Sequence, residues 1–433
     1  MKPSRFNYFL KYDDNHILYN TLSDRLLLLD PFLVDLLQGA INSNEIDELK
    51  TYHPSFYQQL IDDKFIIDEN IDETEKVRKI MQAIDGDETH YHLIINPTMN
   101  CNFKCWYCYE SHIKESKMSE ETIEHIVDHL NKTLTSNQNI KSVTIGWFGG
   151  EPLLQFKQVM LPIMEKTDEL RKRHLVSFQQ NITTNGFLLR AEMIPYFKQY
   201  NLNHFQITLD GNRSFHDTVR YVSKNRGSYD DIMANIKLLV KNELSVTVRV
   251  NFTEKNLEGM EGIYEDLKGL SADDMTYFGF SFHKVWQETA SGLNDRVVEI
   301  ADFFRSKGIY ANLSYIPDSL INSCYADKKN QATINYDGNV FKCTARDFNK
   351  NNREGVLKEN GEIEWNEKYY NRMEIKLKNK PCQNCGILPL CNGGCSQVAI
   401  EANGKDFCVF DFDEEKKRDI VYRKVAEALT YKM

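Results

Sequence analysis

The central part of the chain alternates between short strand-like segments and amphipathic, helix-like segments. Six strand-like segments, each rich in β-branched or aromatic residues, are each followed by a helix-like segment. The strand-like segments are YHLIINP (91–97), SVTIGWFGG (142–150), VSFQQNITTNG (176–186), HFQITLDG (204–211), SVTVRVNFT (245–253) and YFGFSFHKV (277–285). Successive strand–helix units favour a parallel sheet with right-handed crossovers. The pattern therefore predicts an α/β fold in which the sheet curls into part of a barrel, with an open doubly wound sheet as the alternative.

The regions that flank this central part have different patterns. Residues 1–70 alternate short strands with two helical segments, which predicts a small α+β, winged-helix-like module; its alternative role is a cap on the barrel floor. The acidic residues 71–90 predict a linker that contains one helix. Residues 91–310 correspond to a partial (β/α)6 TIM-like barrel, and residues 311–433 to a cysteine-rich domain with a C-terminal helix. A chain of 433 residues is long enough for such an arrangement.

Charge and hydropathy limit the partners of the chain. It carries 53 Lys and Arg residues against 63 Asp and Glu residues, a net charge of −10, so we expect no nucleic acid partner. The most apolar early segment, residues 26–37, is interrupted by Asp30, Pro31 and Asp35 and is too short to span a bilayer. We therefore expect a cytoplasmic protein with no membrane partner. In that reducing compartment, ten cysteines favour metal ligation over disulfides.

Residues with functional chemistry follow the ends of the predicted strands. In a parallel barrel, the loops after the carboxyl ends of the strands meet at one rim. Glycine, asparagine and aspartate favour turns in any protein, but here many such residues accumulate at the same rim. In strand order, they are Cys101 to Cys108, GGEP (149–152), TTNG (183–186), Asp210 with Gly211 and Arg220, Asn251, and His283 with Trp286. The pattern predicts a functional site at this rim.

The first three cysteines have the spacing of a metal site. Cys101, Cys105 and Cys108 form a C-x3-C-x2-C pattern, and three thiolates can ligate three irons of a four-iron cluster. The remaining iron would be open to another ligand. Zinc is the alternative, with His112 as the nearest candidate for a fourth ligand.

The segment CNFKCWYC (101–108) resembles the cluster-binding loop of radical S-adenosylmethionine (SAM) enzymes. The resemblance implies that the open iron of a [4Fe–4S] cluster binds the amine and carboxylate of SAM. It further implies that the reduced cluster cleaves SAM, and that a 5′-deoxyadenosyl radical abstracts hydrogen from a substrate. The cofactors would perform this chemistry, and the protein would orient the reactants.

Three further motifs resemble the SAM-binding elements of the same family. Gly149, Gly150, Glu151 and Pro152 resemble its glycine-rich acidic motif, which implies hydrogen bonds to the ammonium of SAM. The other expected SAM contacts are Thr184 and Asn185 after the third strand, Arg220 at the end of LDG-x4-HD-x2-R, and the backbone of Tyr107. An arginine suits bidentate pairing with a carboxylate.

Seven cysteines follow in the last quarter of the chain: Cys324, Cys343, Cys382, Cys385, Cys391, Cys395 and Cys408. Two four-iron clusters with full cysteine ligation would need eight, so one cluster would have an open or non-cysteine corner. A single zinc site formed by Cys382, Cys385, Cys391 and Cys395 is the alternative, although it would leave the other three cysteines without a role.

This second pattern resembles the SPASM domain of radical SAM enzymes that modify peptides and proteins. By the resemblance, Cys382, Cys385, Cys391 and Cys408 would hold an outer auxiliary cluster. Cys324, Cys343 and Cys395 would hold an inner one, nearer the substrate. The resemblance therefore implies three [4Fe–4S] clusters together with SAM.

Within this group, the sequence favours a maturase that acts on a ribosomally made precursor peptide. The N-terminal module is similar in pattern to leader-peptide recognition modules, in which the leader adds a strand to a sheet edge. The product would be a thioether or carbon–carbon cyclophane crosslink. After hydrogen abstraction, one electron would leave through the inner cluster. The expected electron donor is a low-potential protein such as flavodoxin or ferredoxin. Candidate catalytic residues are His283 and Asp347.

Two other functions stay open on the sequence. The first is an anaerobic sulfatase-maturing enzyme, which forms formylglycine; such relatives carry an aspartate after the second SPASM cysteine, where this chain has Thr344, and Asp347 lies three residues further on. The second is a non-catalytic metal-bearing scaffold that binds a peptide. The GGEP motif and Arg220 argue against a scaffold, since a scaffold has no use for a SAM site.

Overall fold

The computed structural model of the protein describes residues 1–12, 15–288, 292–313 and 319–430. Its strands are β1 (Lys2–Pro3), β2 (Asn7–Tyr12), β3 (Asn15–Asn20), β4 (Arg25–Leu29), β5 (Ile66–Ile67), β6 (His90–Asn96), β7 (Ser142–Trp147), β8 (Ser177–Thr184), β9 (Leu202–Thr208), β10 (Tyr221–Ser223), β11 (Arg226–Gly227), β12 (Ser245–Phe252), β13 (Phe278–Lys284), β14 (Tyr310–Leu313), β15 (Gln331–Asn335), β16 (Asn339–Phe341), β17 (Gly355–Leu357) and β18 (Ile363–Trp365). Its α-helices are α1 (Pro31–Ser43), α2 (Leu49–Tyr52), α3 (Pro54–Asp62), α4 (Glu73–Asp85), α5 (Glu120–Ser136), α6 (Leu161–His174), α7 (Ile194–Gln199), α8 (Arg213–Val219), α9 (Tyr229–Val240), α10 (Ile263–Asp266), α11 (Ala272–Met275), α12 (Leu293–Ser306), α13 (Glu367–Lys378), α14 (Leu388–Cys391), α15 (Ser396–Glu401) and α16 (Glu414–Thr430).

The chain folds into two compact units that do not follow its order. The first unit combines Met1–Gly86, Ile316–Lys328 and Asn371–Met433. The second unit combines Asp87–Tyr315 and Lys329–Tyr370. The predicted domain boundaries at residues 70, 90 and 310 stay predictions.

The second unit is built on an eleven-stranded sheet with the order β14-β13-β12-β9-β8-β7-β6-β15-β16-β17-β18. From β14 to β6 all neighbouring strands are parallel. The six predicted strand segments are β6, β7, β8, β9, β12 and β13 of this sheet. A doubly wound sheet reverses its strand order at a switch point. Here the parallel strands follow one another in sequence order, which confirms the α/β fold and favours the partial barrel.

The sheet continues past β6 into a part that sequence patterns did not assign to it. β15 lies parallel to β6, with Gln331 opposite His92, and β16, β17 and β18 follow as antiparallel neighbours. β15 and β16 form a hairpin, and Gly338 in its turn has φ 76°. The cysteine-rich region therefore adds four strands to the barrel sheet.

Alternation along the strands determines which side chains face the helices. In β12, Val246, Val248 and Val250 are buried, while Arg249 and Asn251 between them are partly buried. Successive side chains of a strand point to opposite faces, so the polar residues share the other face. At the carboxyl ends of the strands this face carries the residues of the site described below.

The first unit contains a three-stranded antiparallel sheet of order β2-β3-β4. The sheet is covered on both faces. Leu18 of β3 lies in a core with residues of α1 and α3, and its neighbours Ile17 and Tyr19 lie in a second core with Ile387, Leu390, Ile420, Val421 and Val425. In β4, Leu27 packs against the first core and Leu26 against the second, while the Leu28 side chain is 52% exposed.

One of the two helical segments predicted within residues 1–70 is divided in the structure. The segment at 45–63 forms the separate helices α2 and α3, because Pro54 begins a new helix and His53 before it has φ −147°, ψ 74°. The expected linker helix is α4, whose Val77 and Met81 are buried in a core with Phe6 and Leu388. In the part of the chain that the structure describes, no helix has the length and hydrophobicity to cross a membrane.

Candidate functional site

The three cysteines of the first group lie on the loop between β6 and α5. The loop turns tightly at its second half, where the Cys108 backbone N–H donates to the carbonyl of Cys105 over 3.1 Å. The backbone N–H of Phe103 donates to Cys101 Sγ over 3.4 Å, and Cys108 Sγ lies 3.6 Å from His112 Nε2. All ten cysteines lie among the described residues, and none of them forms a disulfide bond.

Burial governs the protonation of these thiols. It raises the pKa of Cys101 to about 12 and that of Cys108 to about 11, and it also raises the pKa of Cys105. Metal ligation requires thiolates, so positive charge from a bound metal would have to offset this burial. Among the described residues, no three His, Cys, Asp or Glu side chains converge as the ligands of a single metal ion would.

Close packing against the cysteine loop explains both glycines of GGEP. Gly149 has φ 99°, and a Cβ atom there would lie 2.6 Å from the carbonyl oxygen of Thr98. A Cβ atom on Gly150 would lie 2.3 Å from the carbonyl oxygen of Asn100. The backbone N–H of Gly150 donates to Thr98, and that of Glu151 donates to Asn100. The glycines therefore allow the loop after β7 to lie directly on the loop after β6.

Glu151 presents a buried carboxylate between these two loops and the loop after β8. The carboxylate accepts hydrogen bonds from Thr184 Oγ1 (2.7 Å), from the Asn185 backbone (2.8 Å) and from the Leu153 backbone (3.0 Å). The side chain of Asn185 in turn donates to Asn102 Oδ1 over 2.8 Å. Burial raises the pKa of Glu151. A carboxylate held in this way is suited to receive a cation.

Arg220 lies in a buried cluster with Tyr107, Asp210 and Asn251. Its Nε donates to Asp210 Oδ2 (2.7 Å) and its Nη2 donates to the Tyr107 hydroxyl (2.7 Å). The same hydroxyl donates to Asp210 Oδ2 (2.5 Å) and accepts from Asn251 Nδ2 (3.2 Å). Burial alone would lower the pKa of Arg220, but Tyr107, Cys105 and Asp210 raise it well above its usual value. The cluster therefore maintains a guanidinium cation at the rim.

Sequence reasoning assigned Tyr107 only a backbone role and gave Asp210 no role. The structure shows that the Tyr107 side chain connects the cysteine loop to Arg220, while its carbonyl oxygen accepts from Gln287 Nε2 over 3.4 Å. Asp210 was visible in the quoted LDG motif, but the motif does not show that its carboxylate lies against Arg220. The second carboxylate oxygen of Asp210, Oδ1, is buried without a hydrogen-bond partner among the described residues.

Asp347, a candidate catalytic base, accepts hydrogen bonds from the loop that carries the first three cysteines. It receives the backbone N–H and the hydroxyl of Ser111 over 2.8 and 2.9 Å. Beside it, the Tyr109 hydroxyl donates to the carbonyl of Thr344 over 2.8 Å. Burial alone would raise the pKa of Asp347, but the hydrogen bonds from Ser111 and Asn349 lower it. These bonds connect the loop of the first cysteines to the loop after Cys343.

The other rim residues are placed as follows. His283 is close to Ser281, with Nε2 3.0 Å from the Ser281 hydroxyl, and burial lowers its pKa to about 3, so the imidazole is neutral at pH 7. Trp286 is 59% exposed and stacks on Tyr109 at a centroid distance of 5.4 Å, with the Arg346 guanidinium 4.5 Å from its ring centroid. Neither residue has a contact in the structure that assigns it a catalytic role.

Four of the seven later cysteines line one pocket in the first unit. They are Cys382, Cys385, Cys391 and Cys408, and apolar side chains such as Leu388 and Phe407 line the pocket with them. Burial raises the pKa of Cys391 to about 12, and the charges of the other three cysteines contribute to the same effect. These four are the cysteines that the resemblance groups in the outer cluster, and the donor set and its apolar surroundings fit such a group.

The remaining three later cysteines are divided between the two units. Cys324 and Cys395 belong to the first unit, and Cys343 belongs to the second. The expected inner cluster on these three residues stays a prediction, and its fourth ligand is not assigned.

Comparison with known proteins identifies the family of the central part. The model of the radical SAM superfamily matches residues 95–267. An uncharacterized protein of Synechocystis is 30% identical over 177 residues, which are 40% of this chain and 43% of that protein. A serine-type anaerobic sulfatase-maturating enzyme of Bacteroides thetaiotaomicron is 24% identical over 341 residues, 68% of this chain and 80% of that enzyme.

Solved structures show the same fold. The structure of anSMEcpe with bound AdoMet and Cp18Cys peptide has a TM-score of 0.56 at 18% identity, covering 71% of this chain and 89% of that one. Streptococcus suis SuiB bound to precursor peptide SuiA has a TM-score of 0.50 at 14% identity, covering 94% of this chain and 97% of that one. The chain therefore contains a radical SAM domain over residues 95–267.

Proposed function

We propose that the chain is a radical SAM maturase that acts on a ribosomally made peptide and closes a side-chain crosslink, either a thioether or a carbon–carbon cyclophane. The observation that carries this proposal is the likeness to SuiB, which was solved with a precursor peptide and covers 94% of this chain. The uncovered part of the chain is shorter than residues 1–86, so at least part of the N-terminal region lies within the likeness. The likeness to anSMEcpe covers only 71% of the chain.

The rim residues fit a [4Fe–4S] cluster and SAM. Cys101, Cys105 and Cys108 would hold the cluster, while Glu151 would accept hydrogen bonds from the SAM ammonium and Arg220 would pair with its carboxylate. When bound, cluster and SAM supply the radical that abstracts a substrate hydrogen atom, and auxiliary clusters supply an acceptor for the second electron. The protein would orient these groups, since the Glu151 carboxylate is held by the loop after β8, and Arg220 is held by Asp210 and Tyr107.

The experiment that tests the function uses the reconstituted full chain under anaerobic conditions. SAM, a low-potential donor such as flavodoxin or ferredoxin, and a synthetic precursor peptide encoded beside the gene are added. We expect 5′-deoxyadenosine and a peptide lighter by two hydrogen atoms, with the new bond located by fragmentation. Conversion of a sulfatase peptide to formylglycine, without change in the precursor peptide, would contradict the proposed substrate.

The N-terminal sheet would bind the leader as an added strand. At one edge, the backbone carbonyl of Phe9 in β2 already accepts a hydrogen bond from Arg418 Nη2 over 3.0 Å. β4 forms the other edge, and its Leu28 side chain is 52% exposed. An edge strand with exposed backbone groups is suited to strand addition, in which main-chain hydrogen bonds supply affinity. We therefore assign the leader to the edge of β4.

Leu28→Asp is expected to weaken leader binding about 10-fold or more, because it places a charge where an apolar contact of about 1.5–3 kcal/mol would form. The measurement is the dissociation constant of a fluorescent leader peptide for the full chain. Leu175→Asp is the matched control, since Leu175 is an exposed leucine on the other unit. This variant should bind the leader with the affinity of the parent protein. Equal affinities of the Leu28 variant and the parent would exclude the edge of β4.

A sulfatase-maturating function is the second candidate, favoured by the 24% identity over 341 residues to such an enzyme. In that case Asp347 would act as a base on the substrate. Its hydrogen bonds to Ser111 instead suggest that it supports the cysteine loop, and the two roles have different consequences.

If Asp347 supports the loop, Asp347→Ala and Ser111→Ala are expected to slow SAM cleavage to a similar extent even without substrate. Removal of an acceptor or its donor costs about 1–3 kcal/mol in such a bond, or 5- to 150-fold. The readout is 5′-deoxyadenosine formed without peptide, and Lys350→Ala is the control, because Lys350 is an exposed side chain of the same loop. A base would show the opposite pattern: substrate conversion lost in the Asp347 variant, substrate-free cleavage retained, and Ser111→Ala without effect.

A further inference from the structure

A buried lysine lies at the pocket of the later cysteines. Lys417 of α16 lines the same pocket as Cys382, Cys385, Cys391 and Cys408, and the residue is only 8% exposed. Its ammonium is close enough to interact electrostatically with the sulfur atoms of Cys385 and Cys408. Lysine is rarely buried unless it is paired, so the burial of Lys417 needs a structural or functional explanation.

The helix holds Lys417 at this position. Residues three and four positions apart lie on the same side of a helix, and Ile420 and Val421 are buried in the core that also contains Ile387 and Leu390. Packing of Ile420 and Val421 therefore keeps Lys417 directed towards the segment that carries Cys385 and Cys391. The side chain reaches the pocket because α16 is anchored by its apolar face.

Among the described residues, the acid that pairs with Lys417 is exposed rather than buried. Its ammonium bonds Glu414 Oε1 over 2.5 Å, but the Glu414 side chain is 80% exposed, so water screens that carboxylate. Lys376, another buried lysine of the same unit, differs: it pairs over 2.8 Å with Asp327, whose side chain is 4% exposed. Lys417 therefore brings net positive charge to the cysteine pocket.

We propose that Lys417 is a positioning residue for the outer auxiliary cluster, whose buried ammonium raises the reduction potential of the cluster held by Cys382, Cys385, Cys391 and Cys408. The inference rests on the proposed function, because it requires that cluster. Reduction adds one electron, and so one negative charge, to a group that already carries four thiolates. A nearby cation in a poorly hydrated environment stabilises the reduced state more than the oxidised state.

The test is a redox titration of the reconstituted full chain, followed by electron paramagnetic resonance. The outer cluster is identified as the signal that disappears in Cys382→Ser. In Lys417→Met, which keeps the apolar stem, we expect the reduction equilibrium constant of that signal to fall about 10-fold, equivalent to a potential about 59 mV lower for one electron. Lys417→Arg should restore most of the difference, because it returns the positive charge.

Lys416→Met is the matched control, since Lys416 lies next to Lys417 on the helix but is 52% exposed and paired with Asp411. Its effect should be several-fold smaller because water screens it. An outer-cluster potential that is unchanged in Lys417→Met, or that moves equally in Lys416→Met, would overturn the inference and leave the cluster assignment intact. If Cys382→Ser keeps all its iron and every signal, the cluster assignment itself fails, and the Lys417 inference fails with it.

Discussion

Cys105→Ala is expected to reduce 5′-deoxyadenosine formation to the background of the assay. Three thiolates leave one iron of the cluster open for SAM, and loss of the middle thiolate of the loop removes a ligand that no other described cysteine of that loop can replace. The measurement is 5′-deoxyadenosine from the reduced protein with SAM and no peptide. Iron and sulfide content, measured in parallel, should fall by one cluster per chain.

Lys104→Ala is the control for this variant, because Lys104 is an exposed neighbour in the same loop for which the structure assigns no role. It should form 5′-deoxyadenosine at the rate of the parent. Undiminished SAM cleavage in Cys105→Ala would show that the first three cysteines do not hold the reactive cluster. Zinc in place of iron in anaerobically purified parent protein would point to the alternative metal for these thiols.

Arg220→Met is expected to lower the free energy of unfolding by about 3–5 kcal/mol and to abolish SAM binding. The side chains of Arg220 and Asp210 are 9% and 1% exposed, and removal of one partner leaves the other charge buried without compensation. The Tyr107 hydroxyl would lose its donor from Arg220 at the same time. Denaturant unfolding measures the first effect, and isothermal titration with SAM measures the second.

A double variant separates the buried charge from the general loss of packing. Asp210→Asn combined with Arg220→Met should be more stable than Arg220→Met alone by about 1 kcal/mol or more, because it removes the uncompensated carboxylate. Arg226→Met is the matched control, because Arg226 pairs with Asp231 at the surface. This variant should lower the free energy of unfolding by less than about 1 kcal/mol. If Arg220→Met were no more destabilising than Arg226→Met, the buried pair would not support the rim.

The strands of the barrel could be predicted from the sequence because each strand is indicated by a short, local pattern of residues. Segments of β-branched and aromatic residues recur along the central part of the chain, and all six predicted segments are parallel strands of one sheet. The pairing of β15 with β6 was not accessible, because it joins residues as far apart as His92 and Gln331. A helix broken at Pro54 could have been predicted, since proline disfavours a helical residue before it.

The packing of the N-terminal sheet could not be predicted from local sequence patterns. Short strands were predicted within residues 1–70, but the pattern does not identify the segments that cover the two faces of the sheet. The structure places α1 and α3 against Leu18, and residues near 387–425 against Ile17 and Tyr19. That core joins segments from opposite ends of the chain, and no local pattern contains this information.

The sequence by itself determined which donors and charges this protein carries. The cysteine spacings, the GGEP motif and the arginine after the fourth strand are short-range patterns, and each specifies its own donor or charge. Only the tertiary structure decided which of these groups work together. Asp210 and Tyr107 surround Arg220, Ser111 bonds Asp347, and Lys417 lies at the pocket of four cysteines, because loops distant in the chain meet when the sheets and helices pack. Hydrogen-bond and ion-pair partners across such distances are selected by packing, which depends on the whole chain at once.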